Sequence, residues 1–562
     1  MRNRKNCRWQ WMALVTGLWL VVLMAAPFHV APAQSGHPLL GGPRGAVRAS
    51  TGAPLEGIMV QFVSEKSAVR TTVYSNEDGR FEFPKMDAGL YTLRIARPLE
   101  FKPYRKDSLQ IDGATQLEEI VLERITDSEF LPPTPEIAEQ LTGTEWMMNI
   151  PGTGEEKKTL TNNCGTGGCH TWRQLFNDRF DEAGWKALLN RMMRTGPIGA
   201  AANMSGGFSR GGTPYEFELL GKFLARVRGP GAKDSPFKVL PRARGAATRV
   251  IITEYELPHL RLFPHDAWGD SEGYLWYSSH RAPYIGKLDP RTGKVTEYRV
   301  PGTPGAHPGT HWIRWDDKRK VIWLTQNWAH QIIKFDPRTE QFAITRLPNL
   351  DVPLNRPMGG NWGLHPDGSL WATKWGGGQG AVLKVDPETG KFLKEYPLQK
   401  IHDTYGSAVS ADGKFWCGGG SPEDAVACVN IETDEVIEME TSPGAIPARG
   451  AFDLENNSWW GGRGGSLIKA DPKKRRITEY LPPTSYLAFY EAAADNNGEI
   501  WAGELHGGRF VRFNPRTERW IEYVMPTPDV RNRKTWIDHS TKPVTVWYVD
   551  HDGRLVRIQP LE

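Results

Sequence analysis

From Val250 to the C-terminus the chain is written in short apolar–polar alternations separated by Gly and Asp-Gly turns, such as Asp367-Gly368 and Asp412-Gly413. Alternation with period two is the signature of half-buried strands. One unit reads Leu275-Trp276-Tyr277, then Ile285-Gly286-Lys287-Leu288-Asp289-Pro290, then Thr292-Gly293-Lys294-Val295-Thr296-Glu297-Tyr298, and it recurs with variation. Trp276, Trp323, Trp371, Trp416, Trp460, Trp501 and Trp547 mark the same place in successive units, about 41–48 residues apart. A period of that size predicts a propeller or a solenoid. Several short strands per unit predict the four-stranded antiparallel blade of a β-propeller, and seven markers predict seven blades. The last unit stops at Leu555-Val556-Arg557-Ile558 without the Thr-Glu-Tyr type of strand that ends most others. An orphan strand, Ile252-Thr253-Glu254-Tyr255, precedes the first unit. It is expected to complete the last blade and close the ring, which removes two exposed sheet edges.

The pattern changes upstream. Arg2, Arg4, Lys5 and Arg8 precede an apolar run from Trp9 to Ala26, and Ala31-Pro32-Ala33 supplies small residues for cleavage. This reads as a secretory signal peptide, with an uncleaved anchor as the alternative. Later stretches are too polar to span a membrane. Between about Gly42 and Arg124, alternating runs with turn signals every ten or so residues predict a small β-sandwich. Asp181 to Met193 and Tyr215 to Val227 carry helical periodicity. The expected order is a signal peptide (1–33), a β-sandwich (42–124), a small helical domain (140–230) and a propeller (249–562). The fold class is mainly β.

Charge and cysteine content narrow the function. A net charge of +4 on 562 residues argues for neither nucleic acid nor an anionic membrane surface. Cys417 and Cys428 flank a Gly-rich hairpin tip, and in an oxidising compartment they are expected to form a cross-strand disulfide or to remain two buried thiols. Cys164-Gly165-Thr166-Gly167-Gly168-Cys169-His170 sets a histidine directly after the second of two cysteines. That order suits covalent haem, with two thiols for the vinyl groups and the histidine under the iron. The spacer is four residues where two are usual, and three of the four are Gly. Met192 is the candidate opposite ligand, with Met193 and Met204 as rivals. A short Cys164–Cys169 disulfide, or a zinc site still lacking a fourth ligand, are the other readings.

Three family resemblances follow from these residues. Gly45-Ala46-Val47, Pro54-Leu55-Glu56-Gly57, Asp78-Gly79-Arg80-Phe81-Glu82-Phe83 and Gly89-Leu90-Tyr91-Thr92-Leu93 resemble the carboxypeptidase regulatory-like domain. This implies a transthyretin-like sandwich, usually a structural or adhesive appendage. The Cys169-His170 pair, Trp185, Met192, Gly196 and the second helix resemble a small cytochrome c domain, which implies haem c and electron transfer with a redox partner. The repeat Leu-Trp, Ile-Gly-Lys-Leu-Asp-Pro and Thr-Gly-Lys through Glu-Tyr is similar to that of the virginiamycin B lyase (streptogramin lyase) family over Val250 to Glu562. That likeness implies a site at one end of the central channel. There a divalent metal, Mg2+, with acidic and histidine side chains, opens a cyclic depsipeptide lactone by elimination.

The repeat phase picks out the candidates. Starts of innermost strands read His265, Trp312, Asn361, Tyr405, Arg449, Tyr490 and Trp536. Positions three residues after each marker Trp read Ser279, Gln326, Lys374, Gly419, Arg463, Glu504 and Asp550. His265, Tyr405, Arg449, Tyr490 and Glu504 are expected to meet at one rim, with His265, Arg449, Tyr490 and Glu504 as the catalytic set. A carboxylate oxygen suits a hard divalent ion, so Glu504 is the candidate metal ligand, with Glu491, His506 or Asp550 as its partner, and His506, His539 and Glu491 lie near enough in sequence to substitute for the expected base. Arg449 and Arg463 favour an anionic or carbonyl-rich ligand, and a small molecule, peptide or carbohydrate is the expected occupant. The leading expectation is a periplasmic or secreted haem protein whose cytochrome part serves a ligand-binding, lyase-like propeller. A metal-dependent carbon–oxygen lyase and a non-catalytic binding propeller are the alternatives.

Overall fold

The computed structural model describes residues 38–165, 170–195, 213–259, 263–348, 354–355, 360–373, 380–402, 404–420 and 423–562, the side chains of 193–195 excepted. The expected signal peptide lies outside them. The chain is mainly β, and among the described residues the α-helices lie between 135 and 228. No helix of the described residues is long and apolar enough to cross a membrane.

Downstream of Phe263 the described strands group in chain order into antiparallel sets of four, the fifth and sixth joined by one parallel pairing, Arg449 opposite Glu491, into a single eight-stranded sheet. The first four begin at Pro264, Ile313, Gly363 and Gly406, and the next two at Pro447 and Phe489. A last set of three strands, Asn532–Asp538, Thr545–Asp550 and Arg554–Pro560, takes Val250–Glu256 as its fourth. Every marker tryptophan lies in the second strand of its sheet. These rings are buried, and they fill the space between neighbouring sheets. Trp276 meets Ile313, Ile322 and Leu324 of the next sheet. Trp501 meets Val546 and Tyr548. A buried indole needs a partner for its N–H. Trp276, Trp323 and Trp501 donate to Asp270, Asp316 and Asp495 at 2.8, 3.1 and 2.9 Å. The first strand of the first sheet lies against that of the last, Asn532–Asp538. In the fourth sheet, Cys417 and Cys428 sit opposite each other and are joined by a disulfide.

The orphan strand pairs as its sequence predicts, with Glu254 opposite Val556. Its other edge holds a surprise. It pairs antiparallel with Arg70–Tyr74 of the sandwich, Ile252 opposite Thr72, so one sheet runs from the array into the N-terminal domain. Period-two alternation lets this strand serve two cores. Ile251 enters the sandwich core with Val60, Phe62 and Val73. Val250 and Ile252 enter the core of the last sheet with Val546 and Val556. The expected separate sandwich is therefore fused to the array, and the outer edge of Val250–Glu256 is covered.

The helical region owes its start signals to four Thr-x-x-Glu/Gln sequences. Thr142/Glu145, Thr153/Glu156, Thr171/Gln174 and Thr213/Glu216 all form reciprocal capping boxes. The two expected helices are present as Glu182–Thr195 and Pro214–Arg228. Trp146, Trp172, Phe176, Trp185, Leu220, Phe223 and Leu224 form their core. The region docks on the loop after Ile500–Glu504. Gly143 N donates to the His506 carbonyl at 2.9 Å, and a Cβ on Gly143 would lie 2.3 Å from that oxygen, so only glycine permits the approach. His506 Nε2 lies 2.8 Å from the Gly165 carbonyl, and Arg173 pairs with Asp529 at 3.0 Å.

Candidate functional site: a histidine–tyrosine cluster above a buried ion network

Four innermost strands carry the same irregularity. Register slips between Pro264 and Ala267, between Pro447 and Gly450, between Phe489 and Glu491, and between Asn532 and Thr535. Such bulges oppose an extra residue to the partner strand and re-aim side chains, which is why they recur beside active sites. Here they turn His265 with Asp266, Arg449, Tyr490 with Glu491, and Arg533 with Lys534 toward the convergence of the sheets.

The lower tier is ionic. Arg449 donates to both oxygens of Asp266 at 2.6 Å, and to Asn361 Oδ1 at 3.0 Å. Its Nε lies 3.7 Å from Glu491, which also accepts from Lys534 Nζ. Arg449, Asp266 and Glu491 are wholly buried. Burial opposes ionisation of Asp266, but Arg449 and the His265 ring overcome it and hold the carboxyl well below its usual range. Two carboxylates and two cations balance, which makes such burial tolerable.

The upper tier is aromatic. Asp266 Oδ1 sits 2.8 Å from His265 Nδ1. His265 Nε2 then faces two hydroxyls, Tyr490 OH at 3.2 Å and Tyr405 OH at 3.5 Å. Those hydroxyls are hydrogen-bonded to each other. His311 Nε2 lies 3.3 Å from Tyr405 OH. His280 completes the group, so that one ring nitrogen from each of His265, His280 and His311 lies within 4.8 Å of the others. Burial, reinforced by neighbouring cations and rings, drives all three imidazoles well below their usual pKa, so they stand neutral near pH 7. Burial pushes the Tyr405 phenol well upward, so it keeps its proton. Arg463 lies 5.1 and 5.2 Å from the Tyr405 and Tyr490 ring centres, and Arg533 lies 4.9 Å from that of Tyr490.

Four of the five expected rim residues, His265, Tyr405, Arg449 and Tyr490, meet here. Glu504 departs from expectation. Its carboxylate accepts from the backbone N–H groups of Ala488 at 3.0 Å, His506 at 2.9 Å and Gly507, so it organises its own loop. Burial raises it to about 8. It does not belong to the described residues whose donor atoms cluster. Its expected helpers are engaged too. Glu491 serves the ion network, Asp550 accepts from Arg531 N and Arg554, and His506 faces Gly165. Sequence reading missed His280 and His311 by one position each, taking Ser279 and Trp312. The missing signal was available: three histidines flank the tips of the first two units.

The haem candidates are partly in view. Cys164 is half-buried in the π-turn Thr161–Gly165. His170 is also half-buried, with Nδ1 turned to the Thr171 carbonyl at 3.2 Å, and burial lowers its pKa. Met192 is 46% exposed on the helix Glu182–Thr195. Cys169, Met204 and the Met193 side chain lie outside the described residues, as does Lys374.

Residues 44–123 match the carboxypeptidase regulatory-like domain family. No curated protein matches the chain. Among solved structures, a catalytically inactive virginiamycin B lyase from Staphylococcus aureus with quinupristin is 18% identical. It covers 55% of this chain and 99% of its own, with a TM-score of 0.47. A streptogramin B lyase structure is 20% identical over 56% of this chain and 99% of its own, at the same TM-score of 0.47.

Proposed function

We propose that the sheets form a closed seven-bladed propeller of lyase type in an exported protein. In this reading the histidine–tyrosine cluster binds a carbonyl- or carboxylate-bearing ligand and polarises its oxygen. The observation that carries the reading is the pairing of the Tyr405 and Tyr490 hydroxyls beside His265, ringed by Arg463 and Arg533. Protonated phenols donate hydrogen bonds to an oxygen that gains negative charge, and buried guanidinium groups add to that stabilisation. Arg449 is a positioning residue: it fixes Asp266, and Asp266 fixes the His265 ring. The disulfide supports export, because such bonds persist in oxidising compartments.

The Mg2+ that the lyase resemblance implies does not fit these residues. Magnesium takes oxygen ligands, whereas the clustered donors are imidazole nitrogens and Glu504 is committed to backbone N–H groups. No step is assigned to it.

The test is opening of a streptogramin B lactone, and of simpler cyclic and linear esters, by the full chain and by Tyr490→Phe. Loss of one donor to a developing oxyanion costs about 10²–10³ in kcat. Unmodified protein that neither binds nor opens any of these ligands would overturn the reading.

A second reading concerns the helical region, and the His170 geometry favours it. With Nδ1 turned to a backbone carbonyl, Nε2 is the nitrogen left for iron, as ligating histidines are commonly held. Cys164, Cys169, His170 and Met192 would hold haem c. Such a group supplies one-electron transfer, here beside the His506 loop. Covalent haem in denatured protein, lost in Cys164→Ser, is the expected result. Its absence after export-side expression would leave the cysteines structural.

A further inference from the structure

We propose that His265, His280 and His311 form a three-nitrogen site for a borderline first-row transition metal such as zinc, copper, nickel or iron. The proposal deepens the reading of the same cluster given above.

Three features carry it. One ring nitrogen from each histidine converges within 4.8 Å, although the residues come from two sheets. His265 belongs to the strand Pro264–Gly269, His280 follows Leu275–Ser279, and His311 stands two residues before Ile313–Asp316. Imidazoles that merely fill a core need no common focus for their nitrogens.

The second feature is the carboxylate behind His265. Asp266 lies on Nδ1 at 2.8 Å and is clamped by two 2.6 Å bonds from Arg449. Metal-ligating histidines characteristically offer their second nitrogen to such a carboxylate, which fixes ring orientation and leaves Nε2 for the ion. A wholly buried ion network is a costly way to orient one ring unless that orientation matters.

The third feature is an orphaned atom. His311 is 3% exposed, and its Nδ1 has no hydrogen-bond partner. A buried polar atom left unsatisfied is destabilising, and an ion or a water it holds would remove that cost. His280 is half-buried, so the cluster has a side open to entry.

Donor chemistry selects the ion. Imidazole suits zinc, copper, iron and nickel, whereas magnesium and calcium need oxygen. Arg463 and Arg533 stand nearby as cations. Their repulsion favours an ion held by strong nitrogen donation over one held by charge alone. Three protein ligands leave a position for a bound molecule, the pattern of catalytic rather than structural sites. The Tyr405 and Tyr490 hydroxyls beside His265 Nε2 stand where they can address that molecule.

The test uses the full chain, exported, stripped with chelator and dialysed. Zn2+, Co2+, Ni2+, Cu2+ and Mg2+ are titrated separately, with iron counted apart from any haem. One equivalent of Zn2+ or Co2+ should bind, Co2+ should show the visible spectrum of a nitrogen-rich site, and Mg2+ should not compete. His280→Ala and His311→Ala should each weaken binding by more than about 100-fold, since loss of a supporting partner alone costs 10–100-fold. Because His311 is buried, His280→Gln, at a half-buried position, serves as the variant least able to disturb folding, and circular dichroism checks each. No binding of any of these transition metals by unmodified protein, or binding unchanged in His280→Gln and His311→Ala, would overturn the proposal. Ligand binding and lactone opening are scored separately: metal bound with neither removes the reading given above and leaves the site. Opening that persists in protein that takes up no metal removes the site and leaves the lyase reading.

Discussion

The sandwich and the convergent end of the array bury side chains for opposite reasons. The sandwich core is Val47, Val60, Phe62, Phe81, Phe83, Leu93 and Ile120, and the polar groups near it are few and satisfied, as in Gln61 to Thr72 at 2.9 Å and Ser75 to the Leu55 carbonyl at 2.6 Å. The array instead buries Arg449, Asp266, Glu491, Lys534, His265 and His311 together, with His280 half-buried beside them. Apolar burial is non-directional and stabilises in proportion to area. Buried charge stabilises little and fails abruptly when one partner is removed. The contrast separates a domain held by shape from a cluster held in geometry by charge.

The sharpest way to break the contrast is Arg449→Ala. It strands Asp266 and Glu491 without their shared cation. A loss of about 3–5 kcal/mol is expected, read by urea unfolding. Wild-type stability in this variant would mean that the network is slack, and the contrast would fall.

Next comes Glu504, where burial raises the carboxyl from 4.5 to about 8. Between those values the folded chain keeps a proton that the unfolded chain has lost. The group's stabilisation is therefore fully present below pH 4.5 and is lost as pH rises through about 8. At most about 5 kcal/mol should drain across that window of about 3.5 units, at about 1.4 kcal/mol per unit. Glu504→Gln, measured beside the parent from pH 5 to 8, should show a shallower fall. Parallel curves would place the titration elsewhere.

The smallest effect belongs to the sandwich. Ile120→Val, at a wholly buried position, should cost about 0.5–1.5 kcal/mol with no pH dependence and no change at the histidine cluster. A change in ligand or metal binding there would show that the two regions are coupled through the strand Val250–Glu256, which both share.

Much of the fold was legible because it is periodic. The tryptophan spacing located the second strand of each described sheet, the missing strand after Ile558 called for Ile252-Thr253-Glu254-Tyr255, and the Thr-x-x-Glu/Gln sequences start helices where they occur. His265, Tyr405, Arg449 and Tyr490 were legible as a group because shared repeat phase becomes a shared place. Glu504 had the right phase but the wrong partners. A tight loop at Leu505–Gly508 brought backbone N–H groups within reach of its carboxylate, and phase carries no information about loops.

The sequence alone therefore determined strand periodicity and the strand that pairs with Leu555-Val556-Arg557-Ile558, because burial of alternate residues is a local rule that each segment obeys by itself. Tertiary structure alone decided three things. The bulge at Pro264–Ala267 shifts the phase of its strand by one residue around His265, whose ring nitrogen meets those of His280 and His311. The bidentate grip of Arg449 on Asp266 joins residues 183 positions apart. The second edge of Val250–Glu256 finds Arg70–Tyr74 because a strand edge accepts any partner with free N–H and C=O groups, and only the folded chain determines which one is near.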